Sequence, residues 1–164
     1  LAHSDLQTLP FDVLKLETGL RPVALRRQAH RLGSHHVGHE LMSWHGGTAG
    51  YVITRAGAAR LLGLTEPIAD TVDQAMFHPF STIRRQLRVG QVIPAPVIQR
   101  QRMPGTAAAV VVASTIAIER RRGLFRYGFG RDLHRTGRKV LEAIQLRLAG
   151  WRGSRQIVPF EGER

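Results

Sequence analysis

The chain has 164 residues, of which 43% are hydrophobic, with 24 Lys and Arg, 12 Asp and Glu and no Cys, so its formal net charge is +12. A chain of this length buries about 70% of the surface that its unfolded form exposes, and it therefore needs no disulfide to hold a core. The composition excludes a disulfide-built secreted module and a chain that is disordered throughout.

The positive charge is concentrated in the second half of the chain. Residues 1–83 carry seven basic and seven acidic side chains, whereas residues 84–164 carry seventeen basic and five acidic ones. Such a concentration attracts phosphate groups on nucleic acids, nucleotides or lipids. The longest nearly apolar run, residues 106–118, is shorter than the roughly 20 residues that cross a bilayer, so no membrane span is predicted. Because the sequence starts at Leu1, we expect it to be part of a longer chain.

The first part of the chain is predicted to contain several short strands. Residues 11–17 mix apolar and polar side chains with the period of a half-buried strand. The segment at residues 48–53 is more apolar and is expected to form a buried strand. Further strands are predicted at residues 22–26, near 39–43, and at 87–97.

Two helices are predicted between these strands. Thr54 is a suitable N-cap for the first helix, residues 55–64. The second helix spans residues 70–77, with Asp70 as its cap and Asp73 on nearly the same face. The positions of the first helix that are expected to pack on the core are Ala56, Ala59, Leu61 and Leu62. Alternating strands and helices argue for an α/β layer architecture.

A basic tail follows Pro104 and Gly105, so we predict two units, residues 1–103 and 104–164. An amphipathic helix is expected in this tail, because its apolar positions fall within an arc of about 100°. Those apolar positions are Leu133, Val140, Leu141, Ile144 and Leu148. The opposite side carries Arg131, Arg135, Arg138 and Lys139, and the flanking aromatic residues are Phe125, Tyr127, Phe129 and Trp151. Such a helix either binds an anionic membrane surface or packs its apolar stripe on the domain.

Several patterns that could mark a site are incomplete. His35, His36 and His39 have a spacing that suits metal ligands on a helix, but neighbouring glycines make a helix unlikely, so we predict a solvated loop. The glycine-rich residues 46–50 precede a strand and not a helix, which excludes a P-loop or a dinucleotide fingerprint. No Gly-x-Ser-x-Gly nucleophile elbow occurs.

Asp70 and Asp73 form the one close carboxylate pair before the tail. Paired carboxylates are candidates for a general base or a metal ligand. The structural alternative is a helix N-cap followed by a first-turn acid that favours the helix dipole.

Three segments, taken in order, resemble the C-terminal half of glycosyltransferase family 25. They are residues 47–62 (GTAGYVITRAGAARLL), 71–77 (TVDQAMF) and 94–99 (PAPVIQ). Residues 11–17 also match the strand that this family places after its acidic motif. Its members include bacterial lipooligosaccharide galactosyltransferases and the collagen galactosyltransferases. The resemblance implies a GT-A-like α/β fold and an inverting transfer of a sugar, galactose, from a nucleotide-sugar to a lipopolysaccharide-type glycan acceptor.

The resemblance also implies particular site residues. Asp73 is the expected catalytic residue, which would bind the acceptor or deprotonate its hydroxyl group. Further positions expected to bind acceptor or donor are Asp70, Thr48, Tyr51 and Gln99, although the apolar neighbours of Tyr51 and Gln99 favour packing. The family's acidic Glu-Asp-Asp triplet, which is thought to hold Mn²⁺ or Mg²⁺ and the sugar diphosphate, does not occur in these residues. We therefore expect no metal on this chain alone, and sugar transfer only in a full-length enzyme.

Three functions are open at this point. The first is a glycosyltransferase of a bacterial envelope pathway, cytoplasmic and peripheral on the inner-membrane face. The second is a basic protein that binds nucleic acid, since aromatic residues among arginines can stack on bases. The third is a catalytically inactive, membrane-associated scaffold.

Overall fold

The computed structural model describes residues 9–33, 36–65, 71–103 and 155–163, together with seven helical residues between 140 and 148. These residues form a six-stranded mixed sheet, a two-stranded sheet and helices, which is an α/β-type fold. The strands are β1 (Val13–Lys15), β2 (Glu17–Thr18), β3 (Pro22–Leu32), β4 (His36–Leu41), β5 (Tyr51–Ile53), β6 (Val89–Ile93), β7 (Val97–Ile98) and β8 (Arg155–Ile157). The helices are α1 (Arg55–Leu64) and α2 (Val72–Phe77), with 3-10 turns at Arg84–Gln86, Arg100–Arg102 and Glu161–Glu163.

A parallel pair of strands forms the centre of the fold. The order of the large sheet is β5-β1-β6-β4-β3-β8, and β1 and β6 are its parallel neighbours. After β1 and after β6, the backbone continues in the same direction into the small sheet, where β2 pairs with β7 in parallel. Between the two sheets, the Val97 amide donates to the Leu16 carbonyl at 3.2 Å. The carboxyl ends of β1 and β6 therefore lie side by side.

The first predicted strand is shorter and more deeply buried than expected. The strand covers Val13–Lys15, and Lys15 and Glu17 are both fully buried. The expectation of a half-buried strand is wrong, because β1 lies between β5 and β6 and has apolar clusters on both faces. The predicted buried strand at residues 48–53 is the edge strand β5, in which Tyr51 is 38% exposed.

The histidine-rich segment is not a solvated loop at His36 and His39, and His35 lies outside the described residues. His36 and His39 belong to β4, which is paired on both sides by β3 and β6. His36 Nε2 lies 3.2 Å from Glu161 Oε2, and His39 Nδ1 lies 2.9 Å from the Arg26 carbonyl oxygen. The strand forms because the backbone groups on both of its edges find partners in β3 and β6. The sequence of β4 alone does not reveal these partners.

Helix α1 begins and ends where the sequence predicts, and the Gly57 amide donates to Thr54 Oγ1 at 3.0 Å, which confirms the N-cap. Its expected packing face is wrong. Ala56, Ala59 and Leu62 are exposed, Leu61 is partly buried, and Gly57 is the residue of α1 that is buried. The cause is close contact, since a Cβ at Gly57 would lie 2.7 Å from the Asp12 carbonyl oxygen.

Helix α2 begins at Val72, with Thr71 at its N-cap, instead of at residue 70. Asp70 lies outside the described residues. The buried side of α2 is Ala75, Met76 and Phe77, which faces the main apolar cluster.

The main core lies on one face of the large sheet. Its buried members come from the central strands, α2 and the C-terminal segment: Val13, Val23, Leu25, Leu41, Met76, Phe77, Leu87, Val89, Ala95 and Val158. A smaller cluster on the other face contains Phe11, Leu14, Leu32 and Val92. Val13 and Leu14 belong to different clusters because successive strand residues point to opposite faces.

Residues near the C-terminus belong to the same core. Strand β8 pairs with β3, Val158 is fully buried, and Thr18 Oγ1 donates to the Val158 carbonyl at 2.6 Å. The Ala95 amide donates to the Pro159 carbonyl at 2.8 Å. This segment therefore ties β8 to the ends of β2 and β6.

The predicted tail is described only in part. Arg131, Arg135, Arg138 and Lys139 lie outside the described residues, as do Leu133 and the flanking aromatic residues. Of the expected apolar stripe, Val140, Leu141, Ile144 and Leu148 are helical and between 48% and 82% exposed, whereas Leu146 is buried. In the part of the chain that the structure describes, no helix has the length and apolar character needed to cross a bilayer.

We predict that Leu41→Ala lowers the free energy of unfolding by about 2–5 kcal/mol, because Leu41 is fully buried and its removal leaves a cavity. The matched control is Leu62→Ala, since Leu62 is 69% exposed and its truncation is expected to change stability by about 0.5 kcal/mol or less. Urea denaturation measures both changes. Similar losses in the two variants would contradict this assignment of the core.

Candidate functional site

A buried ion pair lies where β1 leads into β2. Lys15 Nζ is 3.4 Å from Glu17 Oε2, and both side chains are fully buried. Lys15 Nζ also donates to the Gly47 carbonyl and lies 4.1 Å from the centre of the Phe77 ring. The ammonium group therefore meets a carboxylate, a carbonyl and an aromatic face, which together replace its hydration.

The glycine-rich segment at residues 46–50 closes over this ion pair. Its Ala49 amide donates to Glu17 Oε2 at 2.9 Å, while its Gly47 carbonyl accepts from Lys15. Gly47 has a φ of +100°, and a Cβ there would lie 2.5 Å from Glu17 Oε1. Only glycine fits this backbone geometry and this approach to the carboxylate. The segment thus supplies backbone groups to the site instead of cradling a phosphate.

Amide side chains complete the hydrogen bonding around Glu17. Gln99 Nε2 donates to Glu17 Oε1 at 2.6 Å. Gln91 Nε2 reaches the carbonyl oxygens of Lys15 and Glu17, each at 3.3 Å, and that of Val92 at 3.0 Å. Buried polar groups need such partners, because an unmade hydrogen bond costs about 1–3 kcal/mol.

His45 is held in one neutral tautomer beside the ion pair. The Gly19 amide donates to His45 Nε2 at 3.1 Å, so that nitrogen carries no proton. His45 Nδ1 lies 2.9 Å from Gln91 Oε1 and donates to it. The imidazole therefore fixes the orientation of Gln91, which in turn reaches the backbone of β1 and β2.

Burial governs the titration of the two buried bases. Loss of hydration lowers the pKa of Lys15 below its usual value, and the Glu17 carboxylate opposes this change. Burial, followed by repulsion from Lys15, lowers the pKa of His45 from 6.5 to about 4. His45 is accordingly neutral at neutral pH.

The residues that carry the family resemblance meet around this ion pair. Thr48 is exposed between the two residues whose backbone binds Lys15 and Glu17, and Gln99 binds Glu17 directly. Tyr51 contacts Phe77 edge to face, with ring centres 6.4 Å apart, and Phe77 covers Lys15. Asp73 lies close enough to Lys15 to affect its pKa.

Asp73 lies at the edge of the site and is partly exposed. Its Oδ1 accepts hydrogen bonds from Thr71 Oγ1 at 2.6 Å and from the Gln74 amide at 3.0 Å. Among the described residues, Oδ2 has no hydrogen-bond donor. The first turn of α2 thus orients the carboxylate and leaves one oxygen available.

Four residues of the site are not predicted from the sequence: Lys15, Glu17, His45 and Gln91. A signal for the first two exists, because Lys15 and Glu17 lie in a segment whose apolar residues predict a strand. The polar positions of a half-buried strand are, however, expected to face solvent. For His45 and Gln91 the chain offers no local signal. Their partners are 26 and 46 residues away along the sequence.

The site residues do not suit a divalent cation. Within the described ranges, no group of three or more His, Asp or Glu side chains could hold a metal ion. Both Glu17 oxygens already accept hydrogen bonds, and Asp73 has no second carboxylate in the described residues at bonding distance.

Comparison of the chain with protein-family models, curated proteins and solved structures finds no match.

We predict that protonation of His45 makes the fold acid-sensitive. Its pKa is lower in the folded chain than the usual 6.5, so below pH 6.5 the unfolded chain binds a proton that the folded chain does not. Stability is therefore fully present above pH 6.5 and falls between pH 6.5 and about 4. The expected loss from His45 between pH 7 and pH 5 is about 2 kcal/mol.

Urea denaturation at several pH values measures this loss. His45→Gln keeps one hydrogen-bonding side chain and removes the titration, so its stability should change less over the same pH range. Equal pH dependence in the two proteins would show that His45 is not the responsible group.

Proposed function

We propose that this chain forms the acceptor-binding part of an inverting glycosyltransferase with a GT-A-like fold similar to family 25, which transfers galactose from a nucleotide-sugar to a lipopolysaccharide-type glycan. The observation that carries the proposal is the convergence of the three resembling segments on one ion pair. Residues 47–62, 71–77 and 94–99 each supply a contact to Lys15, Glu17 or Phe77. This convergence supports the proposal.

The position of the site supports ligand binding. It lies at the carboxyl ends of the parallel strands β1 and β6, where open α/β sheets place their ligands. Tyr51 presents a partly exposed aromatic ring against Phe77, and the Asp73 carboxylate has one oxygen without a donor among the described residues. An apolar ring beside a few polar groups is the usual composition of a small-ligand site.

The charge balance favours the acceptor over the diphosphate of the donor. Two cations, Lys15 and Arg102, and two carboxylates, Glu17 and Asp73, interact electrostatically within this site. These charges cancel, and Lys15 is already paired with Glu17. A balanced site suits a neutral, hydroxyl-rich glycan, whereas a diphosphate requires an excess of positive charge.

Asp73 then accepts the proton that the reaction releases. The acceptor hydroxyl gives its proton to Asp73 Oδ2, and its oxygen bonds to the anomeric carbon of the sugar. The bond from that carbon to the diphosphate breaks, and the electron pair leaves with the nucleoside diphosphate. In family 25 enzymes a metal ion is thought to bind the diphosphate; the described residues supply no ligand set for one.

We predict that Asp73→Asn lowers turnover about 100-fold or more in the full-length enzyme, because an amide cannot accept the proton. The matched control is Gln74→Ala on the next, exposed residue of α2, which should keep wild-type turnover. Release of nucleoside diphosphate is measured with a nucleotide-galactose donor, Mn²⁺ and a lipopolysaccharide core oligosaccharide. Unchanged turnover in a folded Asp73→Asn variant would show that Asp73 stabilises the start of the helix and does not take part in catalysis.

We also propose that the tail helix attaches the protein to an anionic membrane surface. Val140, Leu141, Ile144 and Leu148 lie on one helical face and are exposed, whereas Leu146, on the opposite face, is buried. The apolar stripe is therefore directed away from the domain in the described residues. An exposed apolar stripe next to a basic sequence is typical of a helix that lies in the membrane interface.

We predict that the chain sediments with phosphatidylglycerol vesicles at about 0.15 M salt and binds phosphatidylcholine vesicles less. The triple variant Leu141→Ser, Ile144→Ser, Leu148→Ser should lose this binding, and Leu62→Ser, at an exposed leucine of α1, should retain it. Point variants are needed because deletion of the tail to residue 164 would remove Val158 from the core. Release of the protein by duplex DNA would instead favour the nucleic-acid function.

A further inference from the structure

An arginine-lined groove lies at the opposite end of the parallel strands from the candidate site. Asp12 and Arg88, which immediately precede β1 and β6, line this groove, and so do Arg60, Arg84 and Arg85. Its volume is about 620 Å³. This volume lies within the range of roughly 300–1,000 Å³ that is usual for small-molecule sites.

The carboxylates in the groove are already paired. Asp12 accepts from Arg60 at 3.2 Å and from the Arg88 backbone amide at 2.8 Å. Glu40 accepts from Arg26 Nε at 2.8 Å. Within the described residues, no carboxylate lies at ion-pair distance from the guanidinium groups of Arg84, Arg85 or Arg88. The groove thus contains three arginines that form no ion pair with a described carboxylate.

Arg84 is held rigidly in this position. Its Nη1 donates to the Leu87 carbonyl at 2.8 Å, and its Nη2 donates to the Leu41 carbonyl. These carbonyls orient the guanidinium without forming an ion pair. Burial lowers the pKa of Arg84 to about 10, and the Glu40 carboxylate, which also lines the groove, opposes this change. Of its five N–H groups, two make these bonds, which leaves donors for a further acceptor.

We propose that this groove binds a small molecule that carries a phosphate or diphosphate group, contacted by Arg84, Arg85 and Arg88. A phosphate supplies both the negative charge and the several acceptor oxygens that such a cluster lacks. The groove is distinct from the ion-pair site, whose charges cancel, and the proposal does not depend on the glycosyltransferase function.

Isothermal titration calorimetry tests this proposal. The 164-residue chain is titrated with inorganic pyrophosphate at constant ionic strength. Saturable binding at one site is expected, and the double variant Arg85→Gln, Arg88→Gln should weaken it about tenfold or more. Both side chains are exposed, so this variant leaves the buried bonds of Arg84 intact. The matched control is Arg27→Gln, Arg31→Gln, which removes the same charge from exposed positions of β3 and should bind like the wild type.

NMR signals of the arginine Nε–H groups supply a second measurement that locates the ligand. Pyrophosphate should shift the signals of Arg84, Arg85 and Arg88 while those of Arg27 and Arg31 stay unchanged. Equal weakening in the two double variants would show general attraction to a basic protein and would overturn the proposal. Absence of saturable pyrophosphate binding would overturn it too, including the case in which duplex DNA or anionic vesicles bind in its place.

Discussion

The burial of Lys15 beside Glu17 is the constraint on which the surrounding structure depends. Removing two charges from water costs several kcal/mol for each ion, and mutual attraction offsets this only when the remaining hydrogen bonds are made. The fold meets this condition, since among the described residues no buried side-chain nitrogen or oxygen lacks a partner. Loss of one partner would leave the other charge buried and unpaired.

This requirement draws distant parts of the chain to one point. Gly47, Ala49, Phe77 and Gln99 each contact the ion pair, although they come from a loop, a helix and the end of β7. Gly47 must be glycine because its backbone approaches the carboxylate. Residues 47–62, 71–77 and 94–99 thus each supply a group that contacts the buried pair.

Local features of the fold were predictable from the sequence, and long-range ones were not. Helix α1 and its Thr54 cap depend on neighbours three residues apart, so the sequence pattern located them correctly. The burial of Lys15 depends on β5 and β6, whose residues paired with Lys15 lie 36 and 76 positions away. Polar residues in a short strand therefore predict a solvent face unless the flanking strands are known. The resemblance places Gln99 in the site. Its side-chain amide donates a hydrogen bond to Glu17, a contact that the periodicity of the sequence does not reveal.

The two ends of the parallel strand pair differ in their charge balance, and this difference suits them to the two classes of ligand that we propose. At the carboxyl end, Lys15 and Arg102 are offset by Glu17 and Asp73, which suits the neutral glycan that we propose for this site. At the amino end, Asp12 and Glu40 are already paired with arginines, while Arg84, Arg85 and Arg88 retain their charge. An anion is therefore favoured at the amino end. The net charge of +12 alone cannot make this distinction, because the pairing of individual side chains decides where a phosphate gains most.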